Sequence, residues 1–135
     1  MARILIIEDN PANMQLMVYL LRAFGHDTFE AAEGEVGLKT AHQESPDLIL
    51  CDLQMPGIDG YEVARRIRLE PQLRTITLVA VTAYAMAGDR EKVLAAGFDG
   101  YISKPVNPEQ FVRQVEIFLP SDKRSGSSKL SSIES

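Results

Sequence analysis

Leu48-Ile49-Leu50-Cys51-Asp52 places four apolar residues directly ahead of a carboxylate. Apolar and polar residues do not alternate in this run. A strand built from it must bury both faces, which is the condition of a parallel sheet covered by helices on each side. Two other runs read the same way: Ile4-Leu5-Ile6-Ile7, ending in Glu8-Asp9, and Leu78-Val79-Ala80-Val81, ending in Thr82. Thr28-Phe29-Glu30-Ala31 is a weaker strand, and Gly100-Tyr101-Ile102, followed by Ser103-Lys104, fits a fifth.

Helical periodicity fills the intervals. Met14, Met17, Leu20, Leu21 and Phe24 recur every three or four residues and predict one apolar stripe, opened by Asn10-Pro11 and stopped at Gly25. Val63 and Ile67 mark a helix starting near Tyr61, and Asp89 to Ala96, closed by Gly97, reads as another. Asn107-Pro108-Glu109-Gln110 has the cap, first-turn proline and third-position amide of a helix start. Phe111, Val112, Val115 and Leu119 supply the inner face of that helix. Glu35 to Gln43 is the weakest helix, because Gly37 costs about 1 kcal/mol there relative to alanine. Strand and helix thus alternate five times, which implies a doubly wound α/β sandwich over residues 1–120. From 121 to 135 the chain turns to Ser, Lys and Asp and is expected to be a disordered tail or linker.

Composition narrows the function classes. No apolar run approaches the ~20 residues that cross a bilayer, so no membrane role is expected. The apolar start is too short for a signal peptide. With one cysteine, Cys51, there is neither an internal disulfide nor a zinc cluster, which points to a reducing, cytoplasmic home. A net charge of −5 argues against direct contact with nucleic acid.

Ligands of open parallel sheets bind beyond the carboxyl ends of the strands. Here those ends deliver Glu8 and Asp9, Asp52, Thr82, and Ser103 with Lys104 to a single edge. Two carboxylates ~4 Å apart repel by about 4 kcal/mol at an effective dielectric of 20, a large part of a domain's stability. Protonation, Lys104 or a bound cation must relieve that repulsion. Oxygen ligands without His or Cys suit Mg²⁺, with Mn²⁺ able to substitute. A cation held by Glu8, Asp9 and Asp52 could bridge to a phosphoryl oxygen, with Thr82 donating a hydrogen bond and Lys104 supplying charge. A carboxylate is a competent nucleophile toward phosphorus.

Glu8-Asp9-Asn10, Asp52-Leu53-Gln54-Met55-Pro56-Gly57, Val81-Thr82-Ala83 and Lys104-Pro105 together resemble the signature set of CheY-like receiver domains. The resemblance spans roughly residues 2–119. The stretches Val81-Thr82-Ala83-Tyr84-Ala85-Met86 and Tyr101-Ile102-Ser103-Lys104-Pro105-Val106 are most similar to DivK-like single-domain regulators and the receivers of hybrid kinases. The resemblance implies a flavodoxin-like (βα)5 fold with strand order 2-1-3-4-5. It implies Asp52 as phosphoacceptor, and Mg²⁺ held by Asp9, Asp52, the Gln54 backbone carbonyl and, mainly through water, Glu8. Thr82 and Lys104 would read the phosphoryl group, Tyr101 would follow Thr82 as an aromatic switch, and Lys104-Pro105 would be a cis peptide. Gln54 and Tyr84 occupy positions that tune dephosphorylation. The donor would be a histidine kinase or histidine phosphotransfer protein. A downstream protein would meet the fourth helix, fifth strand and fifth helix, roughly Asp89 to Leu119. The chain would not be an enzyme beyond its own phosphorylation and dephosphorylation, and the runner-up reading is a receiver excised from a larger hybrid kinase or regulator.

Other functions fit less well. An aspartyl-phosphate phosphatase would carry a second acid two residues after its nucleophile, where this chain has Gln54. An FMN carrier would need Ser, Thr and Gly after the first strand, where this chain has acids. Outside the strand ends the residues read as structure. Cys51 is expected to be a small buried hydrophobe, His26 and His42 surface residues near helix ends, and Arg65, Arg66 and Arg68 a solvated helix face.

Overall fold

The computed structural model describes residues 1–83 and 87–125. Five strands, β1 (Arg3–Ile7), β2 (Asp27–Ala31), β3 (Leu48–Asp52), β4 (Thr77–Thr82) and β5 (Gly100–Ser103), alternate with helices α1 (Pro11–Ala23), α2 (Gly34–Glu44), α3 (Gly60–Leu69), α4 (Ala87–Ala95) and α5 (Phe111–Glu116). The strands pair in parallel in the order β2-β1-β3-β4-β5, the flavodoxin-like arrangement expected from the sequence.

Both faces of the sheet are covered, as the unbroken apolar runs require. Ile4, Ile6, Leu50, Val79 and Val81 join Met17 and Leu21 of α1 and Phe111 and Val115 of α5 in one core. Leu5, Ile7, Ile49, Cys51 and Ala80 face the other way, onto Val63 and Ile67 of α3 and Val93 of α4. Cys51 is therefore the buried small hydrophobe expected, its thiol donating to the Asp52 carbonyl at 3.3 Å and its pKa pushed up by burial. The helix starts are local. Asn10 Oδ1 accepts from the Asn13 N–H, and Asp59 Oδ1 from the Glu62 N–H. Gly37 proves an asset inside α2: a Cβ there would press into the Ile7 side chain, 2.7 Å from its Cγ1. The propensity penalty lets α2 lie close against β1.

Five expectations need correction. Phe24, assigned to the inner stripe of α1, is 51% exposed. The helix ends at Ala23, so Phe24 leaves the 3.6-residue register before it can continue the stripe. The final helix begins at Phe111 rather than at Pro108. Asn107 Oδ1 accepts from the Glu109 N–H, two residues on, and not from the third-position amide of a capping box. Its inner face is nonetheless as expected, with Phe111, Val112, Val115 and Leu119 all buried.

The third correction concerns His26, which is buried and not at the surface. Its Nδ1 accepts from the Ala2 N–H at 3.0 Å, so the ring proton sits on Nε2, which donates to Glu116 Oε2 at 2.6 Å. Arg68 likewise is not part of a solvated face, unlike Arg65 and Arg66. Its guanidinium donates to the carbonyls of Gly97, Arg74 and Ile76 and to Asp99 Oδ2, tying α3 to the loops before β4 and β5. Finally, residues 121–125 do not trail away. Ser121–Lys123 form a 3-10 turn, Arg124 donates to the Leu119 carbonyl, and the Ser125 N–H and hydroxyl both donate to Glu116 Oε2.

The His26 and Phe24 corrections can be checked against each other by urea unfolding. His26→Leu strands the Ala2 N–H and removes one of the donors to Glu116 Oε2, and should cost about 1–3 kcal/mol. Phe24→Ala should cost about 1 kcal/mol or less, as expected at a largely solvated position.

Candidate functional site

Parallel register brings the polar strand ends together. Ile7 pairs with Cys51, Asp52 with Val81, and Thr82 with Ser103, so the residues that follow each strand emerge at one edge. Glu8 is fixed there by its own N–H, which donates to the Ala31 carbonyl at 3.0 Å, and by Oε2, which accepts from the Asn10 N–H at 3.1 Å. Asp52 Oδ1 accepts from the Gln54 N–H at 3.2 Å. Glu8, Asp9 and Asp52 each offer an oxygen within 4.8 Å of the others. Glu8 and Asp52 are buried and Asp9 is exposed, so the cluster opens to solvent on the Asp9 side. Lys104 reaches in from beyond β5, with Nζ 2.8 Å from Glu8 Oε1 and 3.0 Å from Asp52 Oδ2.

One ammonium does not balance this cluster. Burial is the largest influence on Glu8, and the Asp52 charge adds to it. Lys104 and the Asn10 N–H pull the other way, and the net effect raises the carboxyl from 4.5 to about 7. Burial acts in the opposite sense on Lys104, as it must on a cation, but Glu8 and Asp52 more than offset it and its pKa is raised. The pair therefore keeps a charged lysine beside a glutamate that is reluctant to ionise. Glu8 Oε1 is shielded from solvent, and its close partner is the Lys104 ammonium, which it shares with Asp52. Three carboxylates served by one ammonium form a hard-oxygen donor set of the kind that holds a divalent cation such as Mg²⁺.

The other predicted residues fall around this cluster. Thr82 ends β4 at 1% exposure, and its carbonyl accepts from the Lys104 N–H at 2.8 Å. Lys104-Pro105 is the cis peptide expected. Gln54 is exposed at the rim. Tyr101 is half-buried on β5, paired with Ala80 and packed against the core beneath α2, α3 and α4. Tyr84, the other position expected to tune dephosphorylation, lies outside the described residues. Asp59-Gly60 has the composition of a turn, and only backbone packing reveals the direct contact of Gly60 with the Asp52 peptide.

Known proteins share this fold. Residues 4–116 match the family described as "Response regulator receiver domain". The polar-differentiation response regulator DivK of Brucella ovis is 39% identical over 116 residues, covering 86% of this chain and 94% of DivK. The receiver domain of the sensor histidine kinase PA1611 from Pseudomonas aeruginosa PAO1, solved with a magnesium ion coordinated in its active-site cleft, superposes with a TM-score of 0.79. It is 34% identical, with 87% of this chain and 96% of that one covered. The chemotaxis protein CheY4 of Vibrio cholerae gives a TM-score of 0.84 at 26% identity, with 88% and 99% covered. No helix among the described residues is long and apolar enough to cross a membrane.

The raised Glu8 pKa has a measurable sign. Folded Glu8 holds its proton up to about 7 and the unfolded chain releases it near 4.5, so between these values the folded state binds the extra proton. Stability contributed at Glu8 therefore falls as pH rises through that window, and the penalty is complete above it. Thermal melts in chelator should show Glu8→Gln gaining on the wild type from about pH 5 to about pH 8, with Mg²⁺ closing the gap at the alkaline end. A pH-independent difference would contradict this origin of the shift.

Proposed function

The chain belongs to the response regulator receiver domain family, and from that premise we propose that Asp52 accepts a phosphoryl group from a phosphohistidine donor and so switches a protein-binding surface. The observation that carries this reading is the Asp52 carboxylate, held between the Lys104 ammonium at 3.0 Å and the Glu8–Asp9 pair. Receivers of this family act with histidine kinases in phosphorelay signalling, and the donor here is a histidine kinase or a histidine phosphotransfer protein.

In the transfer a carboxylate oxygen of Asp52 forms the new O–P bond as the P–N bond to the donor imidazole breaks, and the imidazole leaves carrying its proton. Glu8, Asp9, Asp52 and the Gln54 backbone carbonyl would hold Mg²⁺, or Mn²⁺ in its place. A bound divalent cation neutralises charge gathered on the phosphoryl oxygens and the carboxylates. Lys104 is already paired with Asp52 and can shift its ammonium onto a phosphoryl oxygen without crossing solvent. The Thr82 hydroxyl donates to the phosphoryl group from the end of β4. Its movement frees space that the half-buried Tyr101 ring follows into, biasing a pre-existing equilibrium of the α4-β5-α5 face toward the form a downstream protein binds. Gln54, with Tyr84, sets how readily water reaches the aspartyl phosphate. The reading makes the chain a switch and not an enzyme acting on other substrates: Gln54 cannot serve as the second acid of a phosphatase. It works in the cytoplasm through protein contacts, without direct binding to nucleic acid or membrane. The rest of the expected tail or linker, residues 126–135, lies outside the described residues.

Acetyl phosphate labelling in Mg²⁺ tests the assignment. Asp52→Asn should abolish stoichiometric labelling, and retained labelling would reject Asp52 as acceptor. Lys104→Ala should still take up Mg²⁺ in calorimetry, yet beryllofluoride should no longer alter hydrogen exchange across α4, β5 and α5. Wild-type-like exchange changes in that variant would remove Lys104 from the switch.

A further inference from the structure

The first residue of α3 lies against the peptide that carries Asp52. The Gly60 N–H donates to the Leu53 carbonyl at 3.0 Å. A Cβ on Gly60 would press on the Asp52 carbonyl oxygen, 2.8 Å from Leu53 Cα and 3.1 Å from the Asp52 carbonyl carbon. All three atoms are main chain. The other close-packed glycines differ in kind: a Cβ on Gly34 would meet the side chains of Ile58 and Val63, and one on Gly100 the ring of Phe118. Side chains can turn aside. The end of β3 has little such freedom, because Cys51 pairs with Ile7 and Asp52 with Val81.

We propose that Gly60 is a positioning residue for phosphoryl transfer. Its missing Cβ lets α3 seat flush on the Asp52-Leu53 peptide, and that seat sets where the Asp52 carboxylate and the Gln54 main chain stand. The inference rests on Asp52 being the phosphoacceptor. Carbon needs roughly 3.5 Å from its non-bonded neighbours, so a methyl at Gly60 forces a retreat of about 1 Å. Val63, Ala64 and Ile67 are fully buried and hold the body of α3 in place. The strain is therefore absorbed by the first turn and by residues 53–59, the segment that presents Gln54. A displacement of about 1 Å in a group that must align with a reacting centre costs on the order of a hundredfold in rate.

The test compares full-length wild type, Gly60→Ala and Gly100→Ala for acetyl phosphate labelling rate in saturating Mg²⁺, for Mg²⁺ affinity by calorimetry, and for melting temperature. Gly60→Ala should label on the order of a hundredfold more slowly and bind Mg²⁺ more weakly while still folded at the assay temperature. Gly100→Ala, whose added carbon has the Phe118 ring as its nearest neighbour, should label within about twofold of wild type whatever its melting temperature. Wild-type labelling and metal affinity in folded Gly60→Ala would overturn the proposal. Failure of the wild type to label at Asp52 would instead overturn the phosphoacceptor reading beneath it. Should Gly60→Ala not fold, the same seat is loosened by Asp59→Ala, which removes the cap on Glu62 N–H, and restored by Asp59→Asn, which can keep it. Slower labelling in the first variant and recovery in the second would support the proposal, and equal rates in both would refute it.

Discussion

Three carboxylates and one ammonium share the edge of a sheet whose central strands are apolar between their ends, and the rest of the structure accommodates that crowding. At a separation of ~4 Å and an effective dielectric of 20, each unrelieved like-charge pair opposes folding by about 4 kcal/mol, against a total stability of about 5–15 kcal/mol. Lys104 relieves part of this, while burial, with a smaller contribution from the Asp52 charge, keeps the Glu8 pKa raised. A group that is hard to ionise in the resting protein, yet sits among hard oxygen donors, has a chemical reason to take up a dication. The same dication makes the edge able to receive a phosphoryl group. Strain at the site and competence of the site thus have one origin.

Such an edge persists only on a scaffold that cannot relax away from it. Ile4 to Ile7, Leu48 to Cys51 and Leu78 to Val81 are at most 1% exposed, so the strands that carry the acids are locked by packing on both faces. An acid at the end of a strand of this kind cannot swing into solvent without moving the strand, and the strand cannot move without opening two cores. This rigidity turns a costly charge cluster into a defined geometry.

Much of this was readable from residue order because the deciding features are short-ranged. An apolar run that fails to alternate states that both its faces are buried, and the polar residue following it states where the strand ends. Asn10 and Asp59 cap helices three residues away, well within reach of local reasoning. What could not be read depends on partners distant in sequence or on a register that breaks. His26 meets Glu116 ninety positions later, and nothing around either residue marks the pairing. Arg68 resembles its neighbours Arg65 and Arg66 in sequence, yet it alone faces three carbonyls that the loops leave open. Phe24 continues a helical period that the backbone has already abandoned. Gly60 reads as a turn residue until the Asp52 peptide is placed beside it.

Apart from the Gly60 contact, the unread interactions lie at the end opposite the charged edge. Asp47 Oδ2 accepts from the Arg3 N–H where β1 and β3 begin, and Asp99 Oδ2 accepts from the Leu78 N–H beside the starts of β4 and β5. His26 joins the entry of β2 to Ala2 and to α5, while Arg68 closes the loops ahead of β4 and β5. Polar staples thus bind the entry end of all five strands, with carboxylates placed where main-chain donors would otherwise lack partners. Each is worth only ~1–3 kcal/mol, but each is spent where no ligand has to enter and nothing has to switch. The molecule separates its two tasks along the strand axis: satisfied hydrogen bonds secure one end, which leaves the other free to hold three carboxylates that Lys104 only partly neutralises.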